Sequence, residues 1–165
     1  AGNYYAKSRK RFEDKINSDP MYGRVEIVNI DSDLSDLGTV DAILTFRNLH
    51  NWIGPQFESI FKSSYKSLKK GGILGVVEHR APEGMLLADM KRSGYVTQDY
   101  AIKEIEKLGF KFIDSSEINS NPKDTKDYPK GVWTLPPSLR LKEQDKNFYT
   151  EIGESDRMTL LFKKL

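Results

Sequence analysis

Apolar positions recur along this chain with two different periods, and the period changes at recognisable stops. In residues 5–17 charge dominates, and Tyr5, Phe12 and Ile16 fall at helical spacing. That pattern predicts a surface helix with a thin apolar stripe, ending near Asp19-Pro20. Residues 25–30 are rich in β-branched side chains and stop at Asp31-Ser32-Asp33, which predicts a strand. Residues 42–46, after a turn at Gly38, are apolar without alternation and predict a strand covered on both faces. Pro55 opens the clearest helix, with Phe57, Ile60, Phe61, Tyr65 and Leu68 on one side and Lys69-Lys70-Gly71-Gly72 as basic last turn and glycine cap.

A further buried-type strand follows at residues 73–77 and ends in Glu78-His79-Arg80. Thr97 caps a helix carrying Ala101, Ile102, Ile105 and Leu108, closed by Gly109, and residues 110–113 form the next strand. In residues 158–162, Met158, Leu160 and Phe162 alternate with wetter positions, marking a last strand. Alternating strands and helices are the signature of an α/β protein with a parallel sheet. Residues 121–155 show no period and hold Pro122, Pro129, Pro136 and Pro137, so they read as a lid or an ordered excursion.

Composition narrows the picture. A chain of 165 residues supports one domain with a real core. Twenty-six basic residues against 24 acidic ones, a formal charge of +2, give no electrostatic reason to expect a nucleic-acid partner. The absence of Cys excludes disulfides, thiol catalysis and zinc–thiolate sites. Apolar runs are too short to span a bilayer, and Ala1-Gly2-Asn3-Tyr4-Tyr5 is neither signal nor transit peptide, so a cytoplasmic location is expected.

In open parallel sheets ligands bind outside the carboxyl ends of the strands. Three polar clusters fall there: Asp31-Ser32-Asp33, the run from Arg47-Asn48 through His50 to Trp52, and Glu78-His79-Arg80. Both histidines belong to this set. Asp and Ser can hold an amino group or a ribose hydroxyl, and His can move a proton near neutral pH. Each cluster also has a plainer use: Asp31 or Asp33 as a turn cap, His50 and Trp52 as packing groups at a helix start, and His79 as a partner for a carbonyl. His50, Glu78 and His79 have metal-ligand chemistry but not zinc-site spacing, so no metal is expected. P-loop, Gly-x-Gly-x-x-Gly and Gly-x-Ser-x-Gly motifs do not occur.

Four motifs in order carry a family resemblance: Asn48-Leu49-His50, Glu78-His79-Arg80-Ala81-Pro82, Asn121-Pro122-Lys123-Asp124, and Asp156 before the final strand. With Leu68-Lys69-Lys70-Gly71-Gly72 they resemble the later two-thirds of a class I S-adenosylmethionine-dependent methyltransferase, and more closely a bacterial group of methyltransferases with unassigned substrates. The resemblance implies a Rossmann-like sheet in the order 3-2-1-4-5-7-6. Residues 25–30 would be strand 3, 42–46 strand 4, 73–77 strand 5, 110–113 strand 6 and 158–162 the antiparallel strand 7.

It further implies Asp31 and Ser32 beside the adenine, Arg47 and Asn48 at the methionine end, and His50, then His79, as base with Glu78 orienting either. Trp52, Arg80, Arg47 and Trp133 would contact a small-molecule acceptor. The family's glycine-rich loop after strand 1 and its acidic residue after strand 2 have no counterpart here. The resemblance therefore implies a fragment without strands 1 and 2 that binds cofactor poorly, its open edge filled by rearrangement or covered by a second copy as a homodimer. Rival readings are a nicotinamide-dependent oxidoreductase on a related sheet and a degenerate interaction module.

Overall fold

The structure is a computed structural model that describes residues 2–30 and 37–165, with backbone alone for residues 2–5. The chain divides into two compact units, residues 1–32 and 33–165. Among the described residues no helix is long and apolar enough to cross a membrane.

In the first unit, helix α1 (Gly2–Ser18) is laced on its polar side by Arg9–Glu13 and Lys10–Asp14 pairs, one turn apart at 2.7 and 3.2 Å. Asp19 then caps a short 3-10 turn by accepting from the Met21 N–H at 2.9 Å. Residues 25–30, expected as a strand, have no strand conformation. β-Branched residues favour a pleated surface only where a partner strand completes it, and none pairs with this segment among the described residues. Val25, Val28 and Ile30 are accordingly exposed.

The second unit is built on a four-stranded sheet: β1 (Val40–Phe46), β2 (Leu68–His79), β3 (Phe110–Ser116) and β4 (Arg157–Lys164), in the spatial order β1-β2-β4-β3. β1 and β2 are parallel, whereas β4 runs antiparallel to both β2 and β3. The final strand keeps its expected alternation, with Met158, Leu160 and Phe162 fully buried. They pack with Leu74 and Val76 of β2 beneath α3 (Pro55–Ser67) and α5 (Gln98–Glu106), which contribute Phe57, Phe61, Ala101 and Ile105. Each such side chain contributes roughly 1.5–3 kcal/mol by leaving water. Thr97 caps α5 by accepting from the Tyr100 N–H, as its sequence position suggested.

Two expectations are corrected here. β1 is not covered on both faces: Leu44 and Phe46 are about 60% exposed, with Ile73 beside them on the same side of the sheet. Its apolar continuity therefore marks a face left exposed among the described residues, rather than a sandwiched strand. The glycine pair is not a helix cap. Helix α3 already ends at Ser67, Leu68 is extended, and Gly71 (φ +82°) and Gly72 lie in β2, where its register with β1 shifts. A Cβ on Gly72 would stand 3.0 Å from a Leu68 methyl and 3.1 Å from the Asp41 carbonyl. The pair allows the chain to pass from helix to strand without a loop.

Residues 121–155 are ordered onto this unit. A 3-10 turn, Gly131–Thr134, and a helix α6 (Lys146–Ile152) bury Val132, Leu135 and Tyr149. Gly131 has φ +55°, and a Cβ there would meet the Ser93 carbonyl oxygen at 2.1 Å, so only glycine brings this turn against α4 (Leu87–Ser93).

Candidate functional site

Because β1 and β2 are parallel neighbours, their carboxyl ends open at one edge, and the residues that follow them meet there. β1 ends at Phe46. Arg47 then turns the chain with a left-handed backbone, φ +56°, while its N–H donates to the Val77 carbonyl at 2.7 Å. A non-glycine residue held in that region is costly and clusters at functional sites. The turn delivers a short helix α2 (Leu49–Trp52), which places His50 over the end of β2.

Glu78 is completely buried there, and three N–H groups converge on its carboxylate. The His50 backbone N–H donates to Oε2 at 3.0 Å, the His79 backbone N–H to Oε1 at 2.8 Å, and His50 Nδ1 lies 3.0 Å from Oε1. A carboxylate only accepts, so His50 Nδ1 carries a proton, and in the neutral ring the lone pair is then on Nε2. A general base needs such an arrangement, in which a fixed tautomer is backed by an anion. His79 packs beside it, with ring centroids 5.4 Å apart, and its Nδ1 pairs with the Ser155 hydroxyl.

Burial pushes the His79 imidazole down to about 4, with the charges of His50, Arg47 and Arg157 adding to the shift and Glu78 opposing it. His79 is therefore neutral at pH 7 and a poor proton acceptor. Its sign is testable. Between its ordinary value of 6.5 and about 4 the unfolded chain takes up a proton that the native state refuses, so stability is complete above that window and falls as pH falls through it. Across the whole window the loss is about 3 kcal/mol. Denaturation at pH 7 and pH 4 checks this, and His79→Gln flattens that part of the profile.

Arg47, His50, Asn51, His79 and Trp133 line a cavity of about 390 Å³, with Val132, Pro136, Pro137 and Arg140 on its far side. The Trp133 indole stands edge-on to the His50 ring at 5.8 Å. His50, Glu78, His79, Arg47 and Trp133 thus come together. Asn48 stays exposed beside the cavity, 3.4 Å from the Asn51 amide. Asp31 and Ser32 lie outside the described residues.

Two expected contacts are placed elsewhere. Trp52 packs into the core against Phe61, ring centroids 6.0 Å apart, because its helix turns that face inward. Arg80 points away from the histidines. Its guanidinium is held by Glu117 at 2.8 and 2.6 Å and by Asp156 at 3.1 and 2.9 Å, which occupies its planar fork. Arg140 and Ser155 were not singled out from sequence. One is a cation among several in an aperiodic stretch, and the other precedes an aspartate with no motif of its own.

His50, Glu78 and His79 offer ligand atoms within 4.8 Å of one another, a spacing that also suits a cation. Both oxygens of Glu78 also accept N–H groups, which ties the carboxylate to the two histidines. The remaining motif residues form a neighbouring clasp. Asp156 accepts from the Asn121 N–H at 3.0 Å, and Asp124 accepts from the Asp156 N–H at 2.7 Å. The polypeptide after β2, the segment beginning at Asn121 and the entry to β4 are thereby tied to one another beside the cavity.

No family model matches the chain, and no curated protein matches it. Solved structures do. A proposed sarcosine dimethylglycine methyltransferase from Galdieria sulphuraria superposes with a TM-score of 0.59 at 14% identity, over 94% of this chain and 64% of that one. The [4+2]-cyclase SpnF gives 0.55 at 15% identity, over 84% and 54%. The 1,6-didemethyltoxoflavin-N1-methyltransferase of Burkholderia thailandensis, solved with 1,6-didemethyltoxoflavin and S-adenosylhomocysteine, gives 0.51 at 9% identity, over 83% and 48%. The chain spans about half to two-thirds of the length of these structures. Likeness at such low identity speaks to architecture, and the presence of a cyclase among the matches illustrates that one fold hosts several chemistries. The chain has the α/β, Rossmann-like fold of S-adenosylmethionine-dependent methyltransferases.

Proposed function

We propose that this chain is part of a cytoplasmic S-adenosylmethionine-dependent methyltransferase acting on a small molecule, with His50 as the base. The observation that carries the reading is the His50–Glu78 pair at the carboxyl ends of adjacent parallel strands, facing a cavity in a fold shared with such enzymes. The four motifs of the bacterial methyltransferase group, which meet around this edge, support it as well. In the proposed correspondence β1, β2, β4 and β3 are strands 4, 5, 7 and 6 of the order 3-2-1-4-5-7-6. Among the described residues β1 pairs only with β2, so its outer edge is where strand 1, or a second copy of the chain, would add.

The residues present fit one end of the cofactor. Arg47 and Asn48, at the end of β1, suit the carboxylate and polar groups of its methionine portion. Among the described residues no carboxylate lines the cavity to bridge a ribose diol. When bound, S-adenosylmethionine supplies an electrophilic methyl group. The chain's own contribution is to seat the acceptor between His50 and Trp133, to take its proton on His50 Nε2, and to stabilise the resulting imidazolium through Glu78. Residues 121–155 form the acceptor wall through Val132, Trp133 and Arg140.

Thermal-shift and calorimetric titrations test the reading on this chain and on a form carrying any residues encoded ahead of Ala1. Stabilisation of the longer form by S-adenosylhomocysteine, with none by NAD, is expected. Stabilisation by NAD instead would favour the oxidoreductase, and silence from both the interaction module. In an active form His50→Ala should slow turnover by about 10²–10⁴-fold at neutral pH. Undiminished turnover would remove His50 from the role.

A further inference from the structure

The cavity beside His50 is not isolated. A larger one, of about 670 Å³, lies against it and shares the side chains of Trp133 and Arg140. Most charges lining the larger cavity already have partners. Arg92 pairs with Asp89, Lys126 pairs with Asp156 at 2.7 Å, and Asp127 accepts from the Thr125 hydroxyl at 2.6 Å. Lys130 and Arg140 are different: among the described residues neither cation has a carboxylate in ion-pair reach. Arg140 is nonetheless held in place. Its guanidinium lies over the Trp133 ring, 4.4 Å from the centroid, and the Arg140 backbone N–H donates to the Trp133 carbonyl at 2.9 Å. On the His50 side of the same wall Arg47 is a third cation without such a partner.

We infer that Arg140, steadied on Trp133 and assisted by Lys130, binds an anionic group, carboxylate or phosphate, of the acceptor. The role in catalysis rests on the methyl-transfer reading above; the anion site does not. A guanidinium stacked on an aromatic ring keeps its N–H fork pre-oriented, so little rotamer freedom is lost when it closes on two oxygens. The junction of the cavities would hold the anion, leaving the rest of the acceptor to reach His50. An acceptor of this class is a small organic acid or phosphate ester with its nucleophile at the opposite end.

The chain has only two tryptophans, which makes the test direct. Trp133 lies under Arg140 and Trp52 packs against Phe61, so the two indole N–H resonances form a probe and an internal control. Titration with phenylacetate and with phenyl phosphate should shift the Trp133 resonance saturably and leave that of Trp52 in place. The uncharged isostere phenylacetamide should shift neither resonance, and the tighter of the two acids tells carboxylate from phosphate. Arg140→Gln should weaken binding at least about tenfold, and Lys130→Gln by a smaller factor. An unmoved Trp52 resonance shows in each variant that the core is intact.

Equal binding of the amide, unchanged affinity in Arg140→Gln, or no shift with either acid would overturn the inference. None of these titrations needs cofactor. If S-adenosylhomocysteine fails to bind the longer form while phenylacetate still binds, the methyl-transfer reading falls and the anion site stands; the reverse result separates them the other way.

Discussion

Replacing Glu78 with glutamine is expected to lower the unfolding free energy by about 3–5 kcal/mol, measured by urea denaturation at pH 7. Glu78 is fully buried, and its two oxygens accept from the His50 N–H, the His79 N–H and the His50 ring. A glutamine keeps the shape but turns one acceptor into a donor, so at least one N–H must face an NH₂ group in a fully buried site. Leaving a buried donor unsatisfied costs about 1–3 kcal/mol, and the conflict is repeated across a shared carboxylate. A domain with a total stability of roughly 5–15 kcal/mol would feel such a loss throughout.

The same substitution frees the His50 ring, so its nitrogen chemical shifts should move from a single Nδ1–H tautomer toward a mixture. A structural carboxylate with no role in orienting His50 would leave those shifts alone, and a loss below about 1 kcal/mol would show that the three N–H groups find other partners.

How much of this was legible in the sequence depends on whether a residue's fate is set by its neighbours in the chain. Helix α5 was readable because its cap, its apolar spacing and its glycine stop lie within about a dozen residues. The alternation of Met158, Leu160 and Phe162 was readable for the same reason: a strand with one wet face writes its orientation into its own sequence. That Glu78, His79 and His50 lie together was legible because sheet geometry sends the carboxyl ends of parallel neighbours to one edge.

The failures share the opposite property. Residues 25–30 have strand composition, but a strand is a relation to a partner, and none pairs with them among the described residues. The glycine pair matched a helix stop, yet a bulge needs the same φ freedom, and only the register between β1 and β2 distinguishes the two uses. Helix α6 follows Asp145, whose side chain makes no capping bond, so its start carries no signal. Arg80 follows Glu78 and His79 in sequence, but it lies past the end of β2, and its guanidinium is taken by Glu117 and Asp156, partners that local sequence does not reveal.

That displacement of Arg80 leads to the second large effect. Asp156→Asn should cost about 3–5 kcal/mol at pH 7. Asp156 is buried to within 5% and accepts from Arg80 Nε and Nη2, from Lys126 Nζ and from the Asn121 N–H. Burial by itself would raise its carboxyl, but the hydrogen bonds from Arg80 and Lys126 outweigh burial and hold it down to about 2. A depressed carboxylate stabilises the fold above its unfolded value near 3.8, and that contribution is lost as pH falls toward 2. The neutral imidazole of His79 acts in the adjoining window, from 6.5 down to about 4.

The acid limb of the stability profile should therefore have two parts with different owners. Asp156→Asn removes the lower part and leaves the upper, whereas His79→Gln does the reverse. A variant at Asp156 that lost stability equally at every pH would show that shape, rather than charge pairing with Arg80 and Lys126, is what the aspartate supplies. The clasp matters to the site because it fixes both ends of residues 121–155, and Trp133 and Arg140 can stand over His50 only while that segment is held down.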